Sequence, residues 1–87
     1  MIQIRTYTTD KGTDLKTLAA DKIGPVKGSI IYLRETNRGE SLYHGWNTTQ
    51  LFTKQSVSIC GISQEIEKSC ESLEKLLEIK LIDWRKK

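Results

Sequence analysis

The chain has 87 residues, 37% of them hydrophobic and 29% charged, a mix too apolar for a disordered segment and too short for more than one core. It is expected to form a single α+β domain over residues 1–87. The net charge of +3 comes from 14 basic and 11 acidic side chains spread evenly along the chain, which argues against a basic arm of the kind dedicated to nucleic acid. No apolar run reaches the roughly 18 residues a membrane span needs, and Met1 to Arg5 alternates where a leader would carry a continuous apolar stretch. The expected setting is soluble, cytoplasmic and reducing, without membrane association.

Residues 2–8 alternate Ile2 and Ile4 against Gln3 and Arg5 and read as a strand. Asp10-Lys11-Gly12 is a turn. Thr13 or Asp10 is placed to cap a short helix to about Ile23, with Leu15, Leu18, Ala19 and Ile23 on one face. Gly24-Pro25 stops it, because glycine accepts a left-handed cap and proline cannot continue a helix.

A hairpin follows. Residues 28–36 and 40–46 are strand-like and flank Asn37-Arg38-Gly39, a three-residue loop with glycine where a left-handed conformation is needed. That register sets Arg34 opposite Leu42, Tyr32 opposite His44 and Ile30 opposite Trp46, all on one face. Residues 50–60 read as one further strand with Leu51, Val57 and Ile59 on one side, or as a short helical turn capped by Thr48 or Thr49.

The last element is a long amphipathic helix. Ser63 is placed as its cap, and Ile66, Cys70, Leu73, Leu77, Leu81 and Trp84 fall in one stripe at helical spacing. Leu76, Ile79 and Ile82 lie off that stripe. They suit a second packing layer, a homodimer contact, or a helix that ends near Ile79 with the tail lying across the sheet. The fold class is therefore a two-layer α+β domain. Its antiparallel-leaning sheet of three to four strands is covered by a short N-terminal and a longer C-terminal helix.

Chemistry is sparse. His44 is the single histidine, with no local nucleophile and orienting group to complete a triad. Cys60 would approach it only if the third strand pairs beside the hairpin. Two cysteines and one histidine fall short of a structural zinc site, and no phosphate-binding glycine loop occurs. Glu67 with Glu71, and Glu74 with Glu78, fit a solvated helix face. No catalysis, cofactor or metal is expected.

The candidate binding residues are Tyr32, Arg34, Arg38, His44 and Trp46. Aromatic side chains beside arginines suit protein-interface hot spots, and they also suit the stacking and clamping of single-stranded nucleic acid. The leading expectation is a small non-enzymatic module, a regulator, adaptor or inhibitor, that acts by occupying a partner protein's surface. The alternative is a nucleic-acid-binding protein using the same hairpin and the basic tail Arg85-Lys86-Lys87. In size and mild basicity the chain resembles small regulators and inhibitors encoded by phages and other mobile elements. That likeness has no motif behind it and assigns no residue a role.

Overall fold

The computed structural model describes residues 1–23 and 30–86, and for residues 30–33 the backbone alone. In chain order the elements are β1 (Gln3–Thr9), α1 (Leu15–Lys22), β2 (Ile30–Glu35), β3 (Ser41–Gly45), β4 (Thr48–Phe52), β5 (Ser56–Gly61), α2 (Ser63–Leu77) and β6 (Leu81–Asp83). A single 3₁₀ turn, Trp84–Lys86, follows β6. The strands form one six-stranded sheet in the order β2-β3-β4-β5-β1-β6, antiparallel at every pairing.

Side chains alternate across a strand, so each strand divides between the two faces of the sheet. Tyr43, Phe52, Val57 and Ile59 are buried on one face. Leu15, Ala19 and Ile23 of the α1 segment and Ile66, Leu73 and Leu77 of α2 close the same core from above. Each large apolar side chain buried there contributes about 1.5–3 kcal/mol. Tyr43 and Phe52 meet edge to face at 6.2 Å. Both helices therefore lie on one side of the sheet.

One polar cluster sits inside this core. Gln50, fully buried on β4, donates through Nε2 to the hydroxyls of Thr48 and Ser69. Those hydroxyls meet each other at 3.1 Å, and Thr48 also donates to the Gly45 carbonyl at 2.6 Å. The Gln50 Oε1 has no hydrogen-bond partner among the described residues. Ser69 occupies the buried stripe of α2, so this polar contact fixes how the helix sits on β4. Gly61 ends β5 beside it: a Cβ there would come within 2.8 Å of Thr48 Cγ2.

Several expectations are corrected. Six strands replace the expected three to four. Residues 50–60 are two strands, because the chain turns at Thr53–Gln55, where the Thr53 hydroxyl accepts from the amides of Gln55 and Ser56. The turn resets the alternation, so Leu51 faces away from Val57 and Ile59 instead of joining them. α1 is shorter than expected, eight residues, and neither Thr13 nor Asp10 caps it. Asp14 does, accepting from the Thr17 amide at 3.0 Å. Ser63 is not the cap of α2: that position is Ile62, without a side-chain cap, and the Ser63 hydroxyl accepts from Arg5 at 2.6 Å instead.

The α2 stripe stops at Leu77. Glu78 takes the left-handed conformation (φ 55°), and Leu81–Asp83 leaves the helix to pair with β1. Leu81 and Trp84 are therefore not part of the helical stripe; of the readings open for this segment, the helix that ends near Ile79 with its tail across the sheet is the one observed. Glu74 is not a merely solvated carboxylate, since it accepts from the Leu81 amide at 2.8 Å and ties β6 back to the helix. Leu76 and Ile79 pack against the core of their own chain, while Ile82 lies on β6. The Gly24-Pro25 stop, residues 28–29 of the hairpin and Lys87 of the basic tail lie outside the described residues.

Candidate functional site: the uncovered face of the sheet

The register places a regular grid on the face opposite the helices. One cross-strand row runs from the Tyr32 position through His44, Thr49 and Cys60 to Ile4. The next runs Arg34, Leu42, Leu51, Ser58 and Thr6, and a third, shorter row holds Ser56, Thr8 and Ile82. Neighbouring strands lie about 4.8 Å apart, so the residues of each row are cross-strand neighbours. Thr6 and Ser58 exchange a hydroxyl hydrogen bond at 3.0 Å, and Thr49 Oγ1 lies 3.4 Å from His44 Nδ1.

The composition of this face differs from the rest of the surface. Leu42 and Leu51 are adjacent at its centre and only partly shielded. Hydroxyls, the Cys60 thiol and the exposed Ile4 occupy the β5 and β1 side, and Arg34 and His44 the hairpin side. Among the described strand residues on this face there is no carboxylate. The eleven Asp and Glu side chains sit in turns and helix caps, on the helices, or on the helix-facing side of β2 and β6. Glu35, for example, reaches Lys16 of α1 at 2.6 Å. The helix layer is the acidic side of the molecule, and α2 alone carries Glu65, Glu67, Glu71 and Glu74.

The five candidate residues do not form one cluster. Arg34 and His44 share the uncovered face, in neighbouring rows of adjacent strands. Tyr32 is opposite His44 in backbone register, and its side chain lies outside the described residues. Arg38 is exposed at the hairpin tip, where Gly39 takes the left-handed conformation (φ 76°) its loop position requires. Trp46 is not opposite Ile30: an irregularity between Ile30 and Tyr32 shifts the pairing, and Ile30 meets Gly45. Trp46 instead begins the two-residue loop between β3 and β4, with φ 55°. Its indole donates to Ser72 Oγ of α2 at 3.2 Å, with Lys68 Nζ 6.0 Å from the ring. Trp46 thus belongs to the helix layer. Arg38 and Trp46 stand at opposite ends of β3, separated by roughly 17 Å of strand.

The geometry also sets limits on chemistry. His44 and Cys60 share a row but have β4 between them, a spacing of about 10 Å, so they are no acid-base and nucleophile pair. Cys70 lies on the helix side against Tyr7, and burial pushes its thiol pKa up, away from the thiolate that a nucleophile needs. Burial, aided by the Cys70 hydrogen bond, also raises the Tyr7 phenol to about 12. Among the described residues no group of three or more His, Cys, Asp or Glu is placed to hold a metal ion. Among them, too, no helix is long and apolar enough to cross a membrane.

Sequence reasoning found Arg34, Leu42 and His44 on a common face. It missed Leu51, Cys60 and Ile4, because their side depends on where the chain turns between Phe52 and Ser56. Thr53 followed by Ser56 was the available signal: a hydroxyl followed by backbone amides two and three residues on is an ST turn. No family model, curated protein or solved structure matches the chain.

Proposed function

We propose that this chain is a non-enzymatic binding module that presents the uncovered face of its sheet to a partner protein. The observation that supports this reading is the asymmetry of the sheet. One face is closed by two helices, whereas the other leaves Leu42 and Leu51 partly exposed between Arg34 and His44 on one side and a field of hydroxyls on the other. An apolar centre with a polar rim is the anatomy of a protein interface, and arginine is enriched at its hot spots. The lack of carboxylates among the described strand residues of this face favours a partner whose contact surface is neutral or acidic. Arg38, at the hairpin tip, is placed to extend the contact beyond the sheet.

The test is affinity capture from a lysate of the source organism, with and without nuclease, using three forms of the protein. The wild type and a helix-side control, Lys75→Glu, are expected to retain the same stoichiometric protein, and nuclease should not release it. The double variant Arg34→Glu/Leu51→Glu is expected to lose it while keeping its thermal transition. Retention by the double variant would overturn the assignment of this face. Release by nuclease would transfer the face to a nucleic-acid partner, whose affinity must then fall steeply with salt.

A further inference from the structure

One concavity of the described surface lies away from the hairpin. It lies on the β1 side of the sheet, between the turn joining β4 to β5 and the 3₁₀ turn at the end of the chain, with a volume of about 470 Å³. Thr6, Thr8 and Ser56 of the uncovered face form part of its lining. Trp84, 53% exposed, contributes its indole. Lys54 and Gln55 line it from the β4–β5 turn, and Gly12 and Thr13 from the turn before α1. Two backbone ties hold these walls in place. The Leu15 amide donates to the Lys54 carbonyl at 3.0 Å, joining the two turns, and β6 anchors Trp84 to β1.

Among the described residues the lining combines three features: a flat aromatic surface, several hydroxyls, and one ammonium, with no carboxylate. A neutral saccharide would also stack on an indole, but its many hydroxyls need strong acceptors, and here Gln55 offers a single side-chain amide. An anion with a flat ring fits better. The volume suits a small-molecule site, for which about 300–1,000 Å³ is ordinary. The surrounding charges leave Lys54 as the lining's cation. Asp14 lies close enough to feel it but is committed to capping α1, and Arg85, the residue after Trp84, is held by Asp83 at 3.1 Å.

We propose that this groove binds a nucleotide unit, with the base stacked on Trp84 and the phosphate held by Lys54 and the hydroxyls of Thr8 and Thr13. The groove adjoins the Leu42 and Leu51 centre and shares the hydroxyls of Thr6, Thr8 and Ser56 with that face, but Trp84 and Lys54 lie outside the proposed protein contact, so their variants test the groove by itself. The unit can be a free nucleotide or one residue of a single strand, since both offer the same base and phosphate.

The experiment is titration of the ¹⁵N-labelled protein with adenosine 5′-monophosphate, adenosine and an oligothymidylate, read by amide and indole chemical shifts. Saturable shifts are expected at the Trp84 indole and at Thr8, Gly12 and Lys54, with adenosine weaker than its monophosphate. Trp84→Ala is expected to weaken binding about 5- to 140-fold, the range for loss of one stacked base. Trp84→Phe should recover part of it, and Lys54→Gln should abolish the advantage of the monophosphate over adenosine. An oligothymidylate that binds more than tenfold tighter than the mononucleotide would identify the source as a single strand, and equal affinities a free nucleotide. The proposal fails if no probe saturates, if the shifts map to Arg34 and Trp46 instead of the groove, or if Trp84→Ala leaves the affinity unchanged.

Discussion

The two faces of the sheet are built from the same strands, yet they differ in composition and burial. On β4 the division falls between neighbours: Phe52 is fully buried under the helices, and Leu51, one residue earlier, turns to the uncovered side. The helix side holds nearly all the buried apolar surface and most of the acidic charge. The other side holds a small apolar patch, hydroxyl ladders and two basic side chains. Stability is thus concentrated on one face, which leaves the composition of the other open to selection for binding.

The sharpest way to break that division is to compare the two neighbours. Phe52→Ala is expected to cost about 3–5 kcal/mol, because it removes a buried ring and leaves a cavity. Leu51→Ala is expected to cost less than about 1.5 kcal/mol, since solvent already reaches that side chain. Urea unfolding of both variants measures the difference, and equal losses would mean that the uncovered face is part of the core. A smaller effect is expected at the end of β5. Gly61→Ala should cost about 1–3 kcal/mol by pressing a methyl against Thr48 and disturbing the Gln50–Ser69 contacts. Thermal denaturation checks it, and an unchanged transition would mean that the helix can shift on β4.

The smallest effect is a dependence on pH. Asp14 is held below its ordinary pKa chiefly by the Thr17 amide, and Asp83 by the Arg85 side chain. A folded-state value below the unfolded one adds stability above the unfolded pKa, and that stability is lost as pH falls through the folded value. Tyr7 and Tyr43 are raised from 10.0 to about 12, mainly by burial. Their contribution is complete below pH 10 and is lost as pH rises toward 12, because the unfolded phenols ionise first. Stability should therefore form a plateau that declines at both ends. Asp14→Asn should soften the acid decline, since the amide still caps the helix but no longer titrates.

Much of the fold was legible in the sequence. Alternation gave β1 and the hairpin, and the 3.6-residue spacing of Ile66, Cys70, Leu73 and Leu77 gave α2 and its buried face. The boundaries that were missed or left open were set by tertiary partners. Leu81 and Trp84 continue the helical spacing, but β1 offers a free edge to residues 81–83, and pairing there ends the helix at Glu78. The turn at Trp46-Asn47 was hidden because neither residue is glycine, although Trp46 adopts a positive φ. Its indole packing on α2 holds a backbone conformation that local preference disfavours. The candidate site was half legible for the same reason. Arg34 and His44 follow from the hairpin, whereas Leu51 and Cys60 needed the position of the β4–β5 turn.

The chain carries one cysteine on each face, Cys60 in the uncovered grid and Cys70 under α2, and this allows a direct measurement. In a Cys70→Ser variant the rate of Cys60 alkylation is followed with and without the captured partner protein. Protection of Cys60 in the complex, by tenfold or more, is the result expected of a partner seated on Leu42 and Leu51. An unchanged rate in a saturated complex would contradict it and place the partner on the helix layer.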